Sequence, residues 1–190
     1  MPTILYTSNQ LASKNLANAL DALGISAIDT KASTVLDVPT DLKVLETLRA
    51  GERSSALLER QRTQFSGSST DFDTDYILVL SSHKSKVPKP MLTMHFPGNW
   101  GKAEMGGNAE TLNTEYAGKL KQLYLETKKA NSAFGLNWEV TIEVDHHGPT
   151  AKNNVPIIFV EIGSSESEWG NPLAAKVLAH AIKETITNET

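Results

Sequence analysis

The sequence predicts an α/β domain: a mixed, mostly parallel sheet with helices packed on both of its faces. Two continuous apolar runs, Tyr76 to Leu80 (YILVL) and Val155 to Ile162 (VPIIFVEI), carry the pattern of strands buried on both sides. Between and around them lie stretches with apolar residues at helical spacing, and strands alternating with helices point to this architecture. At 190 residues the chain is long enough for one domain with a substantial core, so residues 1–190 are read as a single unit.

Ile4 to Tyr6 reads as a short buried strand. The stripe Leu11, Asn15, Leu16, Ala19, Leu20 and Leu23 reads as a helix closed by Gly24. Ile25 to Ile28 and Thr34 to Val38 are strand-like, the latter ending at Pro39. Asp41 to Phe65 is helical in pattern and highly charged, and Ser66 to Thr74 is a loop by composition. Met91 to Phe96 is a strand after the breaks at Pro88 and Pro90, and Pro97 to Asn108 is a long Gly- and Asn-rich loop. Thr114 to Ser132 is an amphipathic helix, Trp138 to Val144 alternates like a strand, and Gly163 to Trp169 is a polar turn. Pro172 to Ile186 closes the pattern as a helix, with Pro172 at a favourable first-turn position.

Composition narrows the function classes. No apolar run approaches the ~20 residues that span a bilayer. Met1 to Gln10 lacks the basic and apolar regions of a signal peptide, so a cytoplasmic chain without a membrane partner is expected. Cysteine is absent, which leaves only His, Asp and Glu to hold any metal. The net charge of -4 argues against a dedicated nucleic-acid binder. The charge is uneven, though: Lys84 to Lys129 carries eight basic residues against four acidic ones, enough to follow a phosphate backbone locally.

Position singles out the chemistry. In open α/β sheets, ligands bind beyond the carboxyl ends of the strands. His83, within Ser82-His83-Lys84-Ser85, follows one strand, and His95 closes another. His146 and His147 follow a third, ahead of Gly148-Pro149-Thr150. Glu161 sits inside an otherwise apolar strand, where a buried carboxylate needs a partner or a metal. Adjacent strand residues face opposite ways, so His146 and His147 share a site only if the chain bends, for which Gly148-Pro149 offers a place. A single strand-end histidine is more often structural than functional, and His180, on a helix, is read as structural. Four such histidines with one semi-buried Glu outweigh that reading. Motifs of the HExxH, Walker A, GxSxG and GxGxxG types do not occur in the sequence.

Taken in order, Ser82-His83-Lys84-Ser85, Leu92-Thr93-Met94-His95-Phe96-Pro97-Gly98-Asn99, the Gly106-Gly107 pair, His146-His147-Gly148-Pro149-Thr150 and Val160-Glu161-Ile162-Gly163-Ser164 with Glu168-Trp169 resemble the archaeal and plant D-aminoacyl-tRNA deacylases. The likeness covers about Ile77 to Ala181 and weakens toward the N-terminus. It implies a fold related to peptidyl-tRNA hydrolases and purine nucleoside phosphorylases. It also implies hydrolysis of the ester joining a D-amino acid to the terminal ribose of tRNA, with zinc as cofactor. The family pattern continues beyond the position of Thr190 with a Gly- and His-rich segment.

On this reading His83, His95, His146, His147 and Glu161 are the catalytic candidates, and His146, His147 and Glu161 the metal candidates. Ser82, Lys84, Ser85, Asn99, Gly106, Gly107, Thr150, Gly163 and Ser164 are expected to bind substrate, with Lys84 and Lys86 on phosphate. The partner is the 3′ end of D-aminoacyl-tRNA, and a monomer is expected. A zinc held by His and Glu would activate water, and a histidine acting as general base is the metal-free alternative. Two other functions stay open: a nucleoside phosphorylase, with phosphate held by Ser82 to Ser85, and a non-catalytic aminoacyl-tRNA-binding protein.

Overall fold

Six strands form the central sheet of the computed structural model, which describes residues 1–33, Leu45, Leu48 and 74–188. In chain order the elements are β1 (Thr3–Tyr6), α1 (Leu11–Asp21), β2 (Ile28–Asp29), β3 (Ile77–Ser82), β4 (Met91–His95), β5 (Gly98–Asn99) and β6 (Thr111–Leu112). They continue with α2 (Ala117–Ala133), β7 (Glu139–Ile142), β8 (Ile157–Gly163), α3 (Glu166–Trp169) and α4 (Pro172–Thr187). The sheet order is β2-β1-β3-β8-β4-β7, and β5 and β6 form a separate two-stranded ribbon. The strand expected over Thr34 to Val38 lies outside the described residues, as do the loop 66–73 and the helix over Asp41 to Phe65 apart from Leu45 and Leu48, both helical.

Strands β2, β1, β3 and β8 run parallel. Strand β4 is antiparallel to β8, and β7 is parallel to β4, so the β4-β7 pair runs against the other four. Alternation along each strand sorts the side chains. Leu78, Leu80, Leu92, Met94, Ile158, Val160 and Ile162 point to one face, where they meet Leu16 and Leu20 of α1, Leu120 and Leu123 of α2, and Val177, Leu178 and Ile182 of α4. The opposite face holds Leu5, Ile77, Val79, Ile157 and Phe159 under Leu45, with Leu48 packed alongside.

Local chemistry explains the helix ends. Gly24, with φ +75°, takes the left-handed turn that lets the chain leave α1. At α4 the Asn171 side chain accepts from the backbone N–H groups of Leu173 and Ala174 at 2.9 and 3.1 Å. Asn171→Ala is expected to cost about 1 kcal/mol of stability, read as a lower thermal midpoint. Within the expected polar turn the chain forms α3, held by a capping box between Ser165 and Glu168. No helix among the described residues is long and apolar enough to cross a membrane.

Candidate functional site

Register places polar side chains on the face opposite α1, α2 and α4. Ser81, Glu161, Thr93 and Thr141 are cross-strand partners on β3, β8, β4 and β7 and form one row over that face. One residue pair further, Val79, Phe159 and His95 form the next row. The strand-end histidines therefore do not gather at one carboxyl edge of the sheet. Because β4 runs against β3 and β8, His83 and His95 approach Glu161 from opposite ends of the strands, and the site lies across the face.

Two groups meet there. In the first, His83 Nδ1 lies 3.2 Å from Glu143 Oε2 and 3.7 Å from Glu161 Oε2. The Thr93 hydroxyl donates to Glu161 Oε2 at 3.1 Å. These carboxylates, Glu143 first, push the His83 pKa up to about 9, so the imidazole is charged at neutral pH. Burial opposes the charge on Glu161, yet His83 and His95 hold its carboxyl well below the usual range. Gly163 makes this group possible: a Cβ there would lie 2.6 Å from His83 Cβ. Glu143 joins the cluster although position alone had not marked it as a principal candidate. Its signal was parity, since it lies two residues beyond Thr141, the partner of Thr93.

The second group is three imidazoles. His95 stacks on His146 with ring centroids 4.1 Å apart and meets His147 edge-on at 4.8 Å. Phe159 packs against both His95 and His147, at 5.2 and 4.9 Å. The bend that brings His146 and His147 together lies at His147 itself, whose φ is +51°, one residue before Gly148-Pro149. A non-glycine residue in that region is held there by its surroundings. Here the His147 carbonyl accepts from Gly98 N–H at 2.9 Å, and Gly148 N–H donates to the Met105 carbonyl at 3.0 Å.

All three rings are oriented in one way. Nδ1 of His95, His146 and His147 lies 2.8, 2.8 and 2.6 Å from the carbonyls of Phe96, Val144 and Gly148. A carbonyl only accepts, so Nδ1 of each ring carries a proton and Nε2 is the nitrogen left to face the site. Burial lowers the His95 pKa, but the Glu161 carboxylate beside it outweighs burial and raises it above the ordinary value. His95 Nε2 is fully buried without a hydrogen-bond partner, 3.9 Å from Glu161 Oε1. Burial and the neighbouring His95 lower the His147 pKa to about 4, which keeps that ring neutral at pH 7.

Each group has a donor set suited to a cation, with ligand atoms within 4.8 Å of one another: His95, His146 and His147 in one, His83, Glu143 and Glu161 in the other. The anticipated metal set of His146, His147 and Glu161 is thus divided between two neighbouring groups. An orphaned buried Nε2 beside two rings with the same tautomer fits a divalent ion of the zinc type, which accepts neutral imidazoles at Nε2.

The residues expected to bind substrate divide in two. Asn99 Nδ2 donates to the carbonyls of Gly106 and Asn108, and Thr150 Oγ1 accepts from Asn108 N–H, so both brace the Gly106-Gly107 loop. Ser164 Oγ donates to the Lys89 carbonyl at 2.7 Å. Ser82 accepts from Gln10 Nε2 at 2.7 Å on the face away from Glu161, where its neighbour Ser81 lies. Lys84 and Ser85 are exposed after β3, and Gly106 and Gly107 are exposed beside the three histidines. His180 packs on Phe134, apart from the site.

The loop packs closely enough to test. A Cβ on Gly148 would come within 2.5 Å of Gly106 C and Gly107 N, which are backbone atoms. Gly148→Ala is expected to displace His147, lowering stability by about 1–3 kcal/mol. A native denaturation midpoint would contradict this.

Comparison with known proteins reports the same region. A family model described as D-aminoacyl-tRNA deacylase matches residues 70–190. A D-aminoacyl-tRNA deacylase from Thermococcus onnurineus is 43% identical over 108 residues, 57% of this chain and 38% of that protein. One from Saccharolobus solfataricus is 41% identical over 120 residues, 62% of this chain and 48% of that protein. One from Methanosarcina acetivorans is 29% identical over 188 residues, 95% of this chain and 61% of its own length. The chain therefore spans 38–61% of the length of these relatives. In fold it matches a crystal structure of a conserved protein of unknown function, with a TM-score of 0.75 at 24% identity, covering 100% of this chain and 64% of that one.

Proposed function

Because the chain belongs to the D-aminoacyl-tRNA deacylase family, we propose that it hydrolyses the ester between a D-amino acid and the terminal ribose of tRNA, releasing both. The observation that carries this reading is the three-imidazole group, with every Nδ1 tied to a carbonyl and Nε2 left available. An aminoacyl ester is an activated acyl group, so water activation and charge stabilisation are the main requirements. A zinc ion, held by His95, His146 and His147, would bring the pKa of a bound water from ~15.7 to ~7.

The chain's own residues do the rest. Glu161 faces His95 Nε2 and, with Glu143, supplies the negative charge beside His83 Nδ1 that keeps that ring protonated. His83 thereby keeps a positive charge beside the reacting ester, where it stabilises the oxyanion that develops. Gly106 and Gly107 would supply backbone N–H groups at the rim, and Lys84, Ser85 and Lys86, exposed after β3, would meet RNA phosphates. We place the protein in the cytoplasm with its tRNA substrate, acting as a monomer.

The test is incubation of purified protein with D- and L-tyrosyl- or aspartyl-tRNA, with and without a chelator. Release is expected from the D-forms, much faster than from the L-forms, and is expected to stop on chelation. Equal rates on both enantiomers, or binding without release, would overturn it. Phosphate-dependent cleavage of nucleosides would favour a phosphorylase instead.

A further inference from the structure

Trp100 is 71% exposed, yet its position is fixed. Its indole Nε1 donates to the Asp145 carbonyl at 3.0 Å, one residue before His146. The loop beneath it is braced by Asn99, by Gly148 N–H on the Met105 carbonyl, and by Glu110 N–H on the Gly101 carbonyl. With its N–H satisfied, the ring has only its aromatic surface to offer. Trp100, Lys102, Met105, His146 and His147 line one pocket of about 240 Å³. That is below the ~300–1,000 Å³ of drug-sized sites, so it suits one planar group rather than a dinucleotide.

We propose that Trp100 is the stacking platform for the terminal nucleobase of the aminoacyl-tRNA, with Lys102 meeting the adjoining phosphate; this rests on the deacylase reading above. The ester lies on the ribose of that same nucleotide, so a base held at Trp100 brings the ester to the histidines one nucleoside away. A fixed aromatic surface fits the part that every substrate shares, whereas the amino acid differs from one substrate to the next. Base stacking on an aromatic side chain contributes about 1–3 kcal/mol, or roughly 5- to 150-fold in affinity.

The experiment compares the native protein with Trp100→Ala and Trp100→Phe. Binding is followed with deacylated tRNA, intact or lacking its terminal nucleotide, and hydrolysis with D-tyrosyl- and D-aspartyl-tRNA. Intact tRNA is expected to quench native tryptophan fluorescence. It should bind Trp100→Ala roughly tenfold more weakly, with Trp100→Phe restoring most of the affinity, while shortened tRNA binds all three alike. In turnover the loss should fall on KM and be equal for both amino acids. Native affinity of Trp100→Ala for intact tRNA would overturn the proposal, as would a loss confined to the tyrosyl substrate, which would make this the amino-acid pocket. The binding arm needs no ester cleavage. Terminal-nucleotide dependence without hydrolysis would therefore refute the deacylase reading and leave the platform standing.

Discussion

Replacing His147 by Asn is expected, on the zinc-deacylase reading proposed above, to reduce deacylation by at least ~100-fold and to lower the zinc retained on dialysis. Loss of groups that merely support a ligand costs 10- to 100-fold, so loss of a ligand itself costs no less. Asn is the informative substitution because His147 has φ +51°, a conformation that Asn tolerates better than most residues. The turn and its bonds to Gly98 and Met105 are then kept, and only the imidazole is lost. Steady-state rates on D-tyrosyl-tRNA and metal analysis of the dialysed protein are the measurements. A variant that retains both metal and rate would remove His147 from the site.

Glu161→Gln should lower turnover by about 10- to 100-fold while the chain remains folded. The amide has the volume of the carboxyl and can still accept from the Thr93 hydroxyl, so the sheet row is undisturbed. What goes is the charge that faces both His83 and His95. In metal-free protein the His83 pKa should fall from about 9 toward its ordinary value of 6.5, held partway by Glu143. The raised pKa contributes stability that is complete below about pH 6.5 and is lost as pH rises through about 9. That pH-dependent share of stability should shrink in Glu161→Gln. Titration of the His83 ring by NMR and urea midpoints across this window test it, and an unmoved titration with an unchanged rate would sink the idea.

Buried strands were legible because their pattern is strong. Ile77 to Leu80 and Ile157 to Val160 are apolar on both sides and lie at the middle of the sheet. Helix ends were legible from Gly24 and Pro172, within a few residues. Weaker elements were not: β5 and β6 are two-residue strands within and beyond a loop, and α3 is a single turn whose capping box hides in a polar segment. Alternation requires a bend between the paired histidines, and Gly148-Pro149 is the stronger turn signal in the sequence, but the turn occurs at His147.

The sequence by itself determined the α/β class, the buried strands and the residue types available for chemistry: four strand-end histidines and a carboxylate within an apolar run. Tertiary structure alone decided that β4 and β7 run against β8, that Ser81 rather than Ser82 shares a face with Glu161, and that Glu143 completes the His83 group. The reason is that alternation along a strand reads the same in either direction. It assigns residues to one of two faces but carries neither the sense of the neighbouring strand nor its register. Both are set by pairing between segments far apart in the chain, and that pairing puts the histidines across the sheet rather than along its edge.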